Sequence, residues 1–190
     1  MQALCIDIDN VIGQTDQVMR QVIRDYTGGR VCLEYAHIKK FNYQDCRDAK
    51  RRRITKKDWA RVHDLFSEPR YLWLIQPFDG VQGHLQRLSK RYELHLATSR
   101  LPKARRTTVE WLENHSIPLH DLHFLRSGQK HVSLGKFFAA VEDHYEQAVL
   151  FAGAGTPCYL IKHPWNMGCA PVDDVHWVKD WAALADQLLP

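Results

Sequence analysis

Nowhere in the 190 residues does an apolar run approach the roughly 18 positions that a bilayer-spanning helix requires, so no such helix and no membrane partner are expected. Cysteine is scarce and scattered: Cys5, Cys32, Cys46, Cys158 and Cys169 contain no CxxC pair. That argues against a disulfide framework or a zinc knuckle and favours a reducing compartment. The opening Met1-Gln2-Ala3-Leu4-Cys5-Ile6-Asp7 lacks a basic stretch followed by an apolar one, and a cytoplasmic location is expected. Internal repeats and low-complexity tracts are missing too. Disorder is excluded, because 45% of the residues are apolar, 11% are aromatic and the formal net charge is only +4. This length suits one full-sized core with an inserted lobe.

The charge that is present is unevenly placed. Arg30 to Arg70 holds 12 Lys or Arg against 6 acidic residues, a net +6 that leaves −2 for the remainder. Its densest part, Lys50-Arg51-Arg52-Arg53-Ile54-Thr55-Lys56-Lys57, suits a nucleic-acid footprint, a rim that attracts small anions, or a solvated helix face.

Ala3 to Ile8 is a short apolar run ending in acid, the pattern of a buried strand with Asp7 and Asp9 at its carboxyl end. Further strands are expected at Tyr92 to Ala97, Leu122 to Leu125, Phe137 to Val141 and Cys158 to Ile161. Helical patterns lie between and after them, at Gly80 to Lys90, Pro102 to Asn114, His144 to Ala152 and Val178 to Leu189. This alternation predicts an α/β fold, a Rossmann-like core whose parallel sheet is flanked by helices, with a crevice at the strands' carboxyl ends. Gln14 to Pro77 is too long for one crossover. It reads as helices, one over Thr15 to Tyr26 stopped by Gly28-Gly29 and another opened by the capping box Thr55-Lys56-Lys57-Asp58. The expected organisation is a core of residues 1–13 and 78–190 with a helical cap at 14–77.

Asp7-Ile8-Asp9, Thr98-Ser99, Lys130 and Glu142-Asp143 fall in order at predicted strand ends or in adjacent loops. Three carboxylates in one crevice repel one another unless a cation sits among them, and carboxylate oxygens suit Mg²⁺. An ammonium and a hydroxyl beside them suit a phosphoryl group. The spacing therefore points to phosphoryl transfer. Asp7 would attack phosphorus while Asp9 handles protons. Lys130 and Thr98 would hold the phosphoryl oxygens, and Asp143 would bind Mg²⁺ with Glu142 in support through a metal-bound water.

Leu4-Cys5-Ile6-Asp7-Ile8-Asp9-Asn10-Val11-Ile12, Leu96-Ala97-Thr98-Ser99-Arg100, Lys130 and Val141-Glu142-Asp143-His144 resemble, in order, the four motifs of the haloacid dehalogenase superfamily of phosphohydrolases. The helical insertion, the Thr-Ser pair and His163-Pro164-Trp165-Asn166 are similar to its 5′(3′)-deoxyribonucleotidase-like branch. The resemblance implies a C1-type cap after the first strand, Mg²⁺ dependence, an aspartyl-phosphate intermediate and a phosphomonoester substrate, with a nucleoside monophosphate as the analogy. It places the nucleophile on Asp7, the acid/base on Asp9, the phosphate hydroxyl on Thr98, the phosphate-binding cation on Lys130, and metal ligands on Asp7, Asp143 and the Asp9 carbonyl, backed by Glu142; Ser99 and Arg100, next to Thr98, are further candidate phosphate contacts. Arg100 stands where better-known members of that branch have proline. Lys136 competes with Lys130 for the lysine role; Lys130 is favoured because Lys136 would begin the fourth strand, far from its carboxyl end.

Other readings remain open at this level: a phosphatase for another small metabolite or for a nucleic-acid phosphate end, a nucleic-acid-binding module, or a phosphoacceptor domain. The order of the motifs and the long insertion argue against the last. No HExxH pattern accompanies His115, His120 and His123, so zinc is not expected there. Phe41, Tyr43, Trp59 and Phe78 suit packing in a small helical lobe, or stacking on a base or sugar. The oligomeric state is not encoded in any of these features.

Overall fold

The computed structural model describes residues 1–189. Six strands form one all-parallel sheet: β1 (Gln2–Asp7), β2 (Tyr92–Thr98), β3 (Asp121–Phe124), β4 (Ala139–Glu142), β5 (Cys158–Ile161) and β6 (Val175–Val178). Their spatial order is β3-β2-β1-β4-β5-β6, so the direction of winding reverses at β1. Such a reversal opens a crevice at the strands' carboxyl ends. Register makes the consequence specific: Asp7 lies beside Ala97, and Ile6 lies beside Val141. The last residues of β1, β2 and β4, namely Asp7, Thr98 and Glu142, therefore meet at one point.

The central strands read as continuous apolar runs because both faces are covered. Leu4, Ile6, Leu94, Leu96 and Val141 face one core, which also takes side chains from α1 (Thr15–Tyr26), α4 (Val81–Leu88), α5 (Arg105–Asn114) and α8 (Trp181–Leu188). The alternate residues Cys5, Ala97, Ala140 and Cys158 face a smaller cluster around Phe151 of α7 (Tyr145–Gly153). One structural expectation fails at the C-terminus. Val178 does not begin a helix but ends the additional strand β6, and α8 starts at Trp181, capped by the Asp180 carboxylate. Because β6 runs almost directly into α8, the helical pattern that follows absorbs its last residue. Likewise β4 begins at Ala139 rather than Phe137, and Pro102–Ala104 forms a 3₁₀ turn before α5.

Between β1 and β2 come α1, two 3₁₀ turns at Tyr35–His37 and Tyr43–Asp45, α2 (Lys56–Phe66), α3 (Pro69–Leu72) and α4. Thr55 caps α2 as its sequence predicts, its hydroxyl accepting from the Asp58 N–H while the Asp58 carboxylate accepts from the Thr55 N–H. Gly28 and Gly29 take positive φ after α1. The chain leaves β1 at Gly13 and returns at Pro77, and these two residues bridge each other. A Cβ at Gly13 would sit 2.6 Å from Ile75 Cγ2, so only glycine fits that doorway. Among the described residues no helix is long and apolar enough to cross a membrane.

Candidate active site

The crevice at the strand ends is the floor of a cavity of about 470 Å³. Lys130 opens the single-turn α6 (Lys130–Ser133), and its buried Nζ lies 2.8 Å from both Asp7 Oδ1 and Glu142 Oε1. Asp143 completes the group: Asp7, Glu142 and Asp143 each offer an oxygen within 4.8 Å of the others. Lys136, the rival lysine, lies instead against Gly155.

Asp9 goes elsewhere. Its carboxylate accepts from Arg100 Nη2 at 2.8 Å and Nε at 3.1 and 3.2 Å, from Thr15 Oγ1 at 2.6 Å and from Thr98 Oγ1 at 3.4 Å. Arg100 is in turn held by Thr108, to whose hydroxyl its Nη1 donates at 3.1 Å. Thr98 is fully buried, so its hydroxyl serves Asp9 and the Arg100 N–H, while Ser99 lines the cavity. Arg100, expected as a phosphate contact, also lines the cavity, but its fork is occupied by Asp9.

This arrangement is held in place by residues that the motifs contain but to which they assign no role. Asn10 has φ 57°, a left-handed turn that asparagine tolerates. Its side chain donates to Asp143 Oδ2 and accepts from the Asp16 N–H. The loop after β5 supplies Asn166 and Trp165, which both donate to the Asp143 carbonyl, and His163, whose Nε2 lies 2.8 Å from the Asn10 carbonyl. In the sequence the run His163-Pro164-Trp165-Asn166 marks this loop, but not what it does, because Trp165 and Asn166 meet a partner more than 20 positions away. Above the floor, Phe41, Tyr43, Trp59 and Trp165 line the wall, with Phe41 stacked on His144 at 3.7 Å. Phe78 is the exception among the predicted aromatics, packing against His163 beside a second, smaller cavity.

This combination of motif order and converging side chains is matched at the family level. The family model described as "5' nucleotidase, deoxy (Pyrimidine), cytosolic type C protein" covers residues 1–189. The chain belongs to that family. This nucleotidase-family protein is a haloacid dehalogenase-like hydrolase of the phosphatase and nucleotidase kind. No curated protein matches its sequence. Among solved structures it resembles CbbY from Rhodobacter sphaeroides in complex with phosphate, with TM-score 0.66, 14% identity, and 97% and 96% of the two chains covered. It resembles protein tyrosine kinase A of Mycobacterium tuberculosis with TM-score 0.73, 16% identity, and 98% and 97% coverage. A HAD-superfamily hydrolase from Geobacter sulfurreducens gives TM-score 0.60, 15% identity, and 98% and 99% coverage. Likeness at such identity establishes a shared fold, and these neighbours' differing names show why the reaction must be argued from the site.

The electrostatics of the nucleotidase-family site separate its acids. Burial pushes the Asp7 carboxyl up, partly offset by Lys130. Burial also pushes Glu142 up to about 8, and drives Asp143 well above the usual carboxylate range with help from the neighbouring Asp7 and Glu142. Burial acts on Asp9 too, but the Arg100 guanidinium and the Thr15 hydroxyl outweigh it and hold the carboxyl low. Lys130 moves upward, because Asp7 and Glu142 outweigh the burial that would discharge it. Three buried carboxylates thus share one ammonium. The site is short of positive charge, and its oxygen donors fit a hard divalent cation.

Proposed function

We propose that the protein is a Mg²⁺-dependent phosphomonoester hydrolase that acts through an aspartyl-phosphate on Asp7, takes a nucleoside monophosphate, and uses residues 14–77 as a C1-type cap over a core of 1–13 and 78–190. The observation that carries this reading is the Asp7–Lys130–Glu142 chain beside Asp143 at the floor of a cavity with aromatic walls. Asp7, Asp143 and the Asp9 backbone carbonyl would hold Mg²⁺, backed by Glu142, and the ion would offset repulsion between the phosphate dianion and the carboxylates.

In the first half-reaction an Asp7 oxygen attacks phosphorus. The bond from phosphorus to the ester oxygen breaks with its electron pair on that oxygen, and Asp9 supplies the proton. In the second, Asp9 takes a proton from water as the water oxygen attacks the acyl phosphate. Asp7 leaves as carboxylate, and inorganic phosphate is released. Lys130 touches Asp7 and faces the charge that spreads over the transferring oxygens, with Ser99 lining the cavity beside it, while the buried Thr98 hydroxyl acts on Asp9 instead. Arg100 keeps Asp9 oriented and favours its deprotonated form, so the proton that Asp9 takes from water in one turnover is readily given to the ester oxygen in the next. Phe41, Tyr43 and Trp59 offer flat apolar surface of the kind that stacks on a base. A cytoplasmic setting accords with the five free cysteines.

The test is phosphate release from nucleoside monophosphates, sugar phosphates and 5′- and 3′-phosphorylated oligonucleotides, with Mg²⁺ or EDTA, for wild type and Asp7→Asn. Release that needs Mg²⁺, favours a nucleoside monophosphate and falls at least about a thousandfold in the folded variant is expected. Release that survives EDTA or the substitution removes the reading.

A second reading, action on a nucleic-acid phosphate end, is favoured by one observation. Arg47, Lys50, Arg51, Arg53, Lys56 and Lys57 are all exposed around one loop and the start of α2. Oligonucleotide affinity that falls steeply with salt, with a slope reduced in a charge-reversed Arg51/Arg53 variant, supports it; a flat salt dependence removes it.

A further inference from the structure

A second group of potential ligands lies on the sheet, apart from the catalytic crevice. β2 and β3 run parallel with His95 registered against Asp121 and Ala97 against His123. Side chains two apart on a strand share a face, as do registered partners. Glu93, His95, Asp121 and His123 therefore project from the same face near the sheet's edge. His95 Nδ1 lies 3.2 Å from His123 Nε2, and that same His123 nitrogen lies 3.4 Å from Asp121 Oδ2. One ligand atom from each of His95, Asp121 and His123 falls within 4.8 Å of the others.

We infer that His95, Asp121 and His123 form a binding site for a borderline-soft divalent cation such as Zn²⁺, bridging β2 to the edge strand β3. The spacing carries the inference. Two ligands on a tetrahedral ion with bonds of about 2.0–2.1 Å lie roughly 3.3 Å apart, close to the separations that converge on His123 Nε2. In the ion-free arrangement a single N–H has to serve both neighbours of that nitrogen, and a cation placed among the three atoms satisfies all of them at once. The two imidazole rings are parallel to within 4°, so small rotations aim both nitrogens at a common point.

The surroundings have the features of a ligand site. The other nitrogen of His95 has Glu93 Oε2 3.9 Å away, beyond hydrogen-bond distance but near enough for a side-chain rotation to bring the carboxylate onto a metal-bound imidazole. Phe137 packs edge-on against the His95 ring. The histidine side chains are only 24% and 20% exposed, whereas Asp121 is 59% exposed and leaves the ion an open approach. Mixed nitrogen and oxygen donors distinguish this site from the all-carboxylate crevice, so the two would prefer different cations. Neither His115, beside Trp111, nor His120, whose Nδ1 accepts from the Leu94 N–H, takes part. A search for zinc spacing along the chain misses the site because its two histidines lie on different strands.

The experiment is a Co²⁺ titration of the full chain in excess Mg²⁺, followed by visible absorption and by the imidazole resonances in NMR, with Zn²⁺ competition. One equivalent is expected to give d–d bands of a nitrogen-ligated ion, unchanged in Asp143→Asn and lost in His123→Gln. Glu93→Gln, which leaves all three ligands in place, should weaken binding about tenfold. Loss of the signal in Asp143→Asn with retention in His123→Gln places the ion in the catalytic crevice and overturns the inference. So does a wild-type titration that leaves the His95 and His123 resonances unmoved, a readout that does not depend on the variants folding.

Discussion

The floor and the wall of the cavity are built on opposite terms. At the floor each carboxylate has a designated partner: Asp7 and Glu142 share Lys130, Asp9 is gripped by Arg100 and Thr15, and Asp143 is fixed by Asn10. The wall, drawn largely from residues 14–77, is apolar; Phe41 is 37% exposed and rests on His144 through ring contact alone. Strand ends locked by register suit chemistry, which needs positions held to fractions of an ångström. A segment of helices and loops suits selection, which needs shape and tolerates change. The reaction is thus expected to be a property of the sheet, and the choice of substrate a property of the insertion.

The severest test of that contrast is Lys130→Met. It leaves Asp7 and Glu142 buried without their shared cation, and a loss of about 3–5 kcal/mol in stability is expected, together with loss of turnover. Urea unfolding measures the first. Next comes removal of divalent cations. Glu142, pushed up to about 8 chiefly by burial, keeps its proton in the fold after the unfolded chain has released it near pH 4. Stability in EDTA should therefore decline as pH rises from about 4 towards 8, and Mg²⁺ should restore more of it at pH 8 than at pH 5. A melting temperature in EDTA that rises over this interval contradicts the charge deficit.

Arg100→Gln should act on rate rather than substrate preference. Without the guanidinium the Asp9 carboxyl rises, so the limb of the pH profile of kcat/KM on which Asp9 must hold its proton moves to higher pH, while the lost orientation of Asp9 lowers kcat about tenfold or more. An unmoved profile means that this charge does not set Asp9. Phe41→Ala should do the reverse, raising KM for a nucleoside monophosphate about 2–10-fold while sparing kcat and the hydrolysis of a small alkyl phosphate. The smallest effect concerns the basic loop. Asp48 is held at about 2, since donors from the Arg52 side chain and from the Arg52 and Cys32 N–H groups overcome the upward push of burial. Its contribution is complete above pH 4 and disappears as pH falls towards 2. Protection against hydrogen exchange, taken relative to the intrinsic rate at each pH, should fall over that interval at the Lys50 and Arg52 amides, which donate to Asp48, and should hold in β1.

What the sequence made legible was whatever depends on neighbours in the chain. The apolar run ending at Asp7 marked β1, the Thr55 to Asp58 spacing marked the start of α2, and Gly28-Gly29 marked the end of α1. The convergence of Asp7, Lys130, Glu142 and Asp143 was legible too, because strand order in an α/β chain dictates which ends meet. The Arg100 grip on Asp9 was not, since the partners stand 91 positions apart and neither residue type announces the other. Nor was the contribution of Asn166 and Trp165, which act through the Asp143 carbonyl, a group every residue carries. β6 was hidden not by its brevity, which β3, β4 and β5 share, but by its place: it runs almost directly into α8, whose helical pattern absorbed Val178.

The doorway at Gly13 and Pro77 bears on how the chain reaches this state. β1 pairs with β2 from Gln2 and Tyr92 onward, a closure across nearly half the sequence. Loop-closure entropy and folding rate both depend on such separations. Once the backbone bonds from Gln14 to Gln76 and from Phe78 to Ile12 form, the intervening segment no longer counts towards that closure, and β1 meets β2 as though joined by a short crossover. The insertion is then expected to assemble early and the central strands to zip afterwards, with substitutions at Gly13 slowing folding more than they quicken unfolding.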